Sequence, residues 1–464
     1  MSEEFEAVVA AVRERVTPDD EERERLRAVT DRLVDRTEAA AADLPVETDV
    51  ILVGSTARGT WLAGDRDVDL FVRFPADLDR ERLEEYGLQV GTDVLPDGRE
   101  EYAEHPYTVG EFEGFTVDLV PCYDVADATA IQSAVDRTPF HTAYLEARLD
   151  DEIAADVRVA KAFLKGIGVY GANLKTRGFS GYLTELLVLE YGGFRPFLEA
   201  AADWHPPVEL DPKDHGQATF DDPLVVIDPT DPERNVAAAL SPENVARLQH
   251  YARDLLADPR ESLFEPADPD PLDADGVRAA LDARGTTPVA VTFEAPDLVD
   301  DQLWPQLRKS RRGVASELDR RGFDVFRSAA FTGERGVLFL ELAVAERPTV
   351  ERHAGPPVHV REHAEGFYGK YAESSVTDGD ADTSAPDRPP YGPFVVEDRY
   401  VVEREREFTS AEAFLESDAL FEVALGAHVE SALREGYEVL VGADVATLAD
   451  AFGTDLAGYF SPKP

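Results

Sequence analysis

The sequence predicts a multidomain α+β protein, in which a head of mixed helices and strands leads into a mostly helical centre and an α/β C-terminal module. Three observations predict it. The chain has 464 residues, 43% of them hydrophobic, enough at about 150 residues per domain for roughly three buried cores. Hydrophobic spacing changes from helical to strand-like near Thr48 and back to helical near residue 151. Proline- and aspartate-rich stretches at 203–234 and 264–274 then set off a further block of strands and helix.

Taken in order, Phe5, Val8, Val12 and Val16 fall on one face of a first helix, and Thr17-Pro18 offers an N-cap and first-turn proline for a second helix running to about Ala42. Strands follow at Val50–Val53, ended by Gly54-Ser55, then at Val68–Val72 and at Phe115–Val120. Residues 151 to 192 read as helical, with Ser180 capping an apolar helix through Leu183, Leu186, Leu187 and Tyr191. Glu265 to Pro271 reads as an exposed linker, and the boundary before it is placed near 258. Beyond lie a strand at Val289–Phe293, a helix over about 299–321 and strands at Phe323–Phe331 and Val337–Val344, a βαββ order. Thr377 to Pro390 reads as a flexible acidic loop. These elements divide the chain into 1–142, 143–258 and 259–464.

Charge and cysteine narrow the class. Asp plus Glu number 94 against 46 Lys plus Arg, a net charge of −48 spread along the whole length. Such a lysine-poor, acidic surface suits a salt-rich, halophilic cytoplasm, where self-repulsion is screened over about 3 Å at 1 M salt. The single cysteine, Cys122, forms no internal disulfide, and no Cys/His spacing suggests zinc, so a metal would be held by oxygen ligands. No stretch approaches the roughly 20 apolar residues of a membrane helix. The acidic start (Met1, Ser2, Glu3, Glu4) is unlike a signal peptide. The expectation is a cytoplasmic protein with no membrane partner.

The chemistry concentrates in Gly54-Ser55-Thr56-Ala57-Arg58-Gly59-Thr60 and Asp65-Arg66-Asp67-Val68-Asp69. A glycine and serine at a strand end expose N–H groups and a hydroxyl where triphosphate oxygens are well received. Asp67 and Asp69, two apart in a strand, project to one face, and Asp118 on another strand supplies a third carboxylate. A charge between Val117 and Leu119 is costly without a cation beside it. Such a set can hold two Mg²⁺ ions about 3.5–4 Å apart for in-line phosphoryl displacement.

Gly54-Ser55 followed by Asp67-Val-Asp69 and Asp118 resembles the signature of the polymerase β-like nucleotidyltransferase superfamily. Longer strings resemble the archaeal-type, class I CCA-adding enzymes: Gly54 to Leu62, Arg137-Thr-Pro-Phe-His141, Gly178 to Leu187, and Asp228-Pro-Thr-Asp-Pro-Glu-Arg-Asn-Val236. The resemblance implies template-independent addition and repair of the tRNA 3′-terminal CCA from CTP and ATP by a polymerase β-like head, with an RNA-binding C-terminal module and a homodimeric assembly. It places magnesium on Asp67, Asp69 and Asp118, with Asp118 nearest the tRNA 3′-hydroxyl. It places the nucleotide at Ser55, Arg58, His141, Lys161 and Tyr170, and secondarily at Gly54 and Arg234.

Read from the residues alone, His141 is either a structural histidine or a ligand, Lys161 either a solvated helix lysine or a triphosphate cation, and Tyr170 either a core aromatic or a platform. Asn235 either joins the nucleotide site or caps a helix over Val236–Leu240. Arg308, Lys309, Arg311 and Arg312, with Arg320-Arg321 beyond, form the densest basic cluster and the expected tRNA contact; the alternative is a solvated face balanced by Glu317 and Asp319. Phe367, Tyr368 and Tyr371 either stack on RNA or pack in a core. The rival functions are another polymerase β-like transferase, such as a poly(A)-adding enzyme, and an inactive RNA-binding protein. The intact carboxylates and Gly-Ser turn argue against the latter.

Overall fold

The computed structural model describes residues 2–102, 104–374 and 390–464, which form two compact units divided between Ala267 and Asp268. The acidic stretch from Thr377 lies outside the described residues except for Pro390. In chain order the first unit comprises α1 (Ser2–Val16), α2 (Asp20–Ala41), β1 (Asp49–Val53), α3 (Gly54–Arg58), β2 (Asp67–Pro75), α4 (Arg80–Val94), β3 (Arg99–Tyr102), β4 (Pro106–Phe112), β5 (Phe115–Asp124), α5 (Thr138–Glu146), α6 (Asp151–Gly166), α7 (Gly181–Tyr191), α8 (Phe194–Ala202), β6 (Val208–Leu210), β7 (Leu224–Asp228), β8 (Asp231–Asn235) and α9 (Pro242–Ala257).

The head is a sheet of order β1-β2-β5-β4-β3, in which β2 and β5 run parallel and the other neighbours antiparallel. Strand alternation gives it two unlike faces. Val68, Leu70, Val72, Phe74, Val117 and Leu119 turn to one face and share a core with Leu26, Val29 and Leu33 of α2 and Leu83 and Val90 of α4. Burying one such side chain contributes about 1.5–3 kcal/mol, and Leu70→Ala would cost about 2–5 kcal/mol because the packed layers cannot collapse into the hole. The opposite face carries Asp67, Asp69 and Asp118 along its upper edge. Beyond them Phe71, Val120 and Cys122 form a small cluster with Val53.

Two local expectations are corrected. The cap of α2 is Asp19, not Thr17: its carboxylate accepts from the Glu22 N–H while Glu22 returns a bond to the Asp19 N–H, satisfying two otherwise orphaned donors. Val236–Leu240 is a turn, because the Asn235 side chain is committed to Val226 N–H, Ala237 N–H, Leu224 C=O and Asp222; the helix begins after Ser241, with proline in its first turn. The helical stretch of 151–192 is interrupted between α6 and α7, where Tyr170 bridges Phe179. The second core joins Phe5, Val9 and Val12 of α1 to α6, α7, α8 and α9, and includes Leu263 and Phe264, which is why the first unit extends beyond α9.

The second unit contains α10 (Ala274–Arg284), β9 (Thr287–Glu294), α11 (Asp300–Arg321), β10 (Val325–Thr332), β11 (Arg335–Leu342), β12 (Val350–Pro357), α12 (Arg361–Ser374), β13 (Tyr391–Val396), β14 (Arg399–Glu405), α13 (Ala411–Leu415), α14 (Ala427–Glu435), β15 (Tyr437–Val441) and α15 (Ala449–Phe460). Its main sheet, β10-β11-β9-β15, is covered on both faces. Leu303, Leu307, Val314 and Val429 pack on one side, and Val277, Phe452 and Leu456 on the other. A smaller sheet, β12-β14-β13, carries α12.

Candidate active site

The parallel β2–β5 ladder sets Asp69 directly opposite Asp118, with Asp67 opposite Thr116. Asp67 and Asp69 therefore share a face with Asp118. Among the described residues none of the three carboxylates accepts a hydrogen bond or ion pair, and no three acidic, histidine or cysteine side chains form a ready-made cage for one ion. Burial, then the neighbouring charges of Asp69, Glu101 and Asp67, pushes the Asp118 carboxyl up to about 6. Asp69 is raised chiefly by burial, with Arg58 opposing, and Asp67 by burial and then Asp65. Two partly buried carboxylates and the exposed Asp67, crowded by their own kind and with no partner from the chain, fit hard cations. Gly54 completes this edge: at φ +75° it places its Cα against Asp69, and a Cβ there would lie 1.9 Å from Asp69 Oδ2.

Beside this edge α3 turns the chain from β1 through Ser55 to Arg58. Arg58 Nε donates to Glu185 Oε2 at 2.7 Å and one terminal nitrogen to Thr142 Oγ1 at 3.1 Å. Lys161 Nζ donates to Glu185 Oε1 at 2.8 Å and to the Thr60 carbonyl and hydroxyl, each at 3.1 Å. The side chains of Arg58, Lys161 and Glu185 are 7%, 4% and 0% exposed. Lys161 is thus no solvated helix lysine. Burial lowers its pKa while Glu185 opposes; burial tends to raise Glu185, but Lys161 and Arg58 outweigh it and keep the carboxylate ionised. One buried carboxylate thereby holds two cations side by side. Tyr170 stands next to them: a Cβ on Gly181 would lie 3.1 Å from its hydroxyl and 4.0 Å from Lys161 Nζ, and burial raises the phenol so that it stays protonated.

A second buried carboxylate organises the far side. Asp228 Oδ2 accepts from His141 Nε2 at 2.8 Å and from Arg234 at 2.7 Å, and Thr230 and Tyr182 donate to Oδ1. Burial works against its ionisation, but hydrogen bonds from His141 and Thr230 hold it well below the ordinary range. His141 is itself lowered by burial, with Asp228 opposing, and its ring lies 3.9 Å from that of Tyr182, nearly parallel. Arg234 lines a cleft of about 990 Å³ together with Arg137, Ser180, Gln217, Phe220 and Asp231.

Residues 35–141 match the family model described as nucleotidyltransferase domain, 155–265 that of the second domain of tRNA nucleotidyltransferases, and 284–442 that of the C-terminal domain of CCA-adding enzymes. Over the full length of both chains the sequence is 67% identical to the CCA-adding enzyme of Haloarcula marismortui. The chain belongs to the CCA-adding enzyme family. Its CCA-adding relative from Halorubrum lacusprofundi is 62% identical over the full length of both, and that from Methanoregula boonei is 42% identical over 96% of this chain and 93% of its own. Among solved structures, the Cid1 poly(U) polymerase with MgGTP bound aligns with 57% of this chain and 100% of its own at 18% identity and a TM-score of 0.46.

Within this CCA-adding chain the predicted residues of the first unit form three neighbouring groups. Asp67, Asp69, Asp118 and Gly54 line the sheet edge, Ser55, Arg58, Lys161 and Tyr170 adjoin it, and His141 and Arg234 meet on Asp228. Glu185 and Asp228, which organise two of these groups, stand in the sequence only inside longer strings. The available signal for Glu185 was a carboxylate inside a helix apolar on every side, which must be paired. In the second unit the basic cluster divides. Arg311 is tied to the Ser328 carbonyl at 2.8 Å and Arg308 lies over Trp304, whereas Lys309 and Arg312 are exposed. Arg320 and Arg321 pair with Glu317. Phe367 and Tyr371 pack with each other and His353, while Tyr368 is exposed.

Proposed function

We propose that this protein adds and repairs the 3′-terminal CCA of tRNA from CTP and ATP, releasing pyrophosphate. The full-length 67% identity to a CCA-adding enzyme carries the reading, and the unpartnered carboxylates of the sheet edge give it a chemistry. Asp67, Asp69 and Asp118 would hold Mg²⁺, which supplies Lewis acidity to the attacking hydroxyl and the leaving pyrophosphate. Asp118 orients the tRNA 3′-hydroxyl. The Gly54-Ser55 turn receives triphosphate oxygens through N–H groups and the Ser55 hydroxyl. Arg58, with Nε and one terminal nitrogen already engaged, offers the rest of its fork to the phosphates. Lys161, its donors held by Glu185 and Thr60, adds positive charge behind that wall, the protonated Tyr170 phenol completes it, and Arg234 faces the base from the cleft. Lys309, Arg312 and the neighbouring helix face contact the tRNA backbone.

No helix among the described residues is long and apolar enough to cross a membrane, in keeping with a cytoplasmic enzyme, and the family resemblance favours a homodimer, which sedimentation in concentrated KCl measures. The deciding experiment offers the purified chain tRNA transcripts ending before CCA, after C, or after CC, with each labelled nucleotide in turn, in concentrated KCl with and without Mg²⁺. The expected result is addition of only the missing residues, in order, and none after the metal is withdrawn. Disordered or incomplete addition refutes the proposal.

A further inference from the structure

We propose that Asp228 is a positioning and specificity-determining residue, the fixed anchor through which Arg234 and His141 are aimed at the base of the incoming nucleotide. This rests on reading the adjoining cleft as the nucleotide pocket. Asp228 has no exposed surface, and its oxygens are filled: His141 Nε2 and Arg234 at Oδ2, and Thr230 N–H (2.9 Å), Thr230 Oγ1 (2.8 Å) and Tyr182 hydroxyl (3.3 Å) at Oδ1. An ionised carboxylate offers about four lone-pair sites, so none is left for a ligand. Asp228 can act only through the groups it holds.

Of the two groups held at Oδ2, Arg234 reaches the cleft directly, and His141 stands behind it on the same carboxylate. The Arg234 side chain is 34% exposed and lines the cleft, and with one terminal nitrogen held 2.7 Å from Asp228 the rest of its fork keeps N–H donors for a ligand. Anchoring matters in this chain because acids outnumber bases 94 to 46. Asp231 and Glu233 line the same cleft, and Asp231 already pairs with Arg137, so Asp228 is the carboxylate that holds Arg234. Asp228 also fixes the polarity of His141. Nε2 donates to the ionised carboxylate, which in the neutral imidazole leaves Nδ1 as an acceptor, and the Tyr182 ring stacks on the imidazole. A donor and an acceptor of fixed polarity suit cytosine and adenine, which both present a ring-nitrogen acceptor beside an amino donor. Uracil and guanine present the opposite order at those positions.

The test compares CTP with UTP, and ATP with GTP, on tRNA ending before CCA and after CC. Asp228→Asn keeps the shape but removes the charge and turns one hydrogen-bond partner of His141 into a donor. Discrimination, the ratio of kcat/KM values, is expected to fall by about tenfold or more, because a site built on hydrogen bonds loses selectivity when their order is reversed. Arg234→Ala should cause a similar loss, and the double variant no further loss, since residues acting as one unit are non-additive. Wild-type discrimination in D228N, or losses that multiply in the double variant, overturns the inference. If D228N does not fold, Thr230→Val removes one Oδ1 donor; a smaller loss in the same direction is expected, and unchanged discrimination overturns the inference as well. Wild type that adds no nucleotide refutes function and inference together, whereas ordered addition by wild type with D228N unchanged refutes the inference alone.

Discussion

Glu185→Gln isolates the ion-pair network behind the nucleotide site. The amide matches the carboxylate in shape but leaves Arg58 Nε and Lys161 Nζ, 2.7 and 2.8 Å away, facing a dipole instead of a charge. Removing one partner of a buried pair costs about 3–5 kcal/mol. At about 2–4 °C per kcal/mol for a unit of this size, Tm should fall by roughly 6–20 °C. No discount for solvent applies, because the carboxylate has no exposed surface. For the same reason the loss should persist when KCl is diluted or concentrated, unlike that from an exposed pair such as Arg80–Glu84, which salt screens. Thermal unfolding followed by circular dichroism measures the shift, and initial rates measure KM for CTP, which should rise about tenfold as Arg58 loses its orienting acceptor. A Tm within about 3 °C of wild type, or a loss that vanishes in concentrated KCl, would refute the claim that Glu185 is ionised and locked to both cations.

Three further outcomes follow from the geometry. Gly54→Ala places a methyl where Asp69 Oδ2 lies, at a backbone conformation costing a side chain about 1–2 kcal/mol; addition should drop by about a hundredfold with unchanged secondary structure, and near-wild-type rates would show that Asp69 is not needed in that position. Asp118 titrates near 6 without metal, above its ordinary value, so the proton favours the folded, metal-free state below about pH 6 and the site destabilises it as pH rises through that value. Activity should run the other way, falling as pH drops through about 6 and recovering with added Mg²⁺, and a fall unmoved by Mg²⁺ concentration would point to another group. Lys309→Ala with Arg312→Ala should raise the KM for tRNA a few-fold, while Arg311→Ala, which loses its Ser328 contacts, should lower Tm instead; the opposite pattern would reverse their roles.

The acidic sheet edge was legible because it depends on alternation within short strands. Asp67 and Asp69 share a face in any strand, and Asp118 between Val117 and Leu119 signals a charge needing company. Gly54-Ser55 was legible as a strand-ending turn for the same local reason. What stayed hidden was long-range pairing. Lys161 looks like an ordinary helix lysine until α7 brings Glu185 to it and the Thr60 turn closes over both. Asp228 reads as a turn residue before proline until α5 and α7 supply His141 and Tyr182. Val236–Leu240 fails as a helix because Asn235 spends its side chain on β7. In the second unit β9, α11 and β11 are visible from their periods, but β15 joins the sheet from far along the chain, and no local pattern announces its partner.

The pairing of Asp69 with Asp118 has a consequence for how such a chain can vary. Their separation is set by the hydrogen-bond ladder of two adjacent strands, not by the length of the excursion through α4, β3 and β4 that connects them. The loops of that excursion can therefore lengthen without moving the carboxylates, although α4 packs in the core and β4 pairs with β5, whereas a one-residue slip in either strand turns an acid to the opposite face of the sheet. Tolerance to insertion and intolerance to register change should sit side by side in this head, which makes the loops between β2 and β5 the natural place to graft a reporter and the two strands the last place to recut.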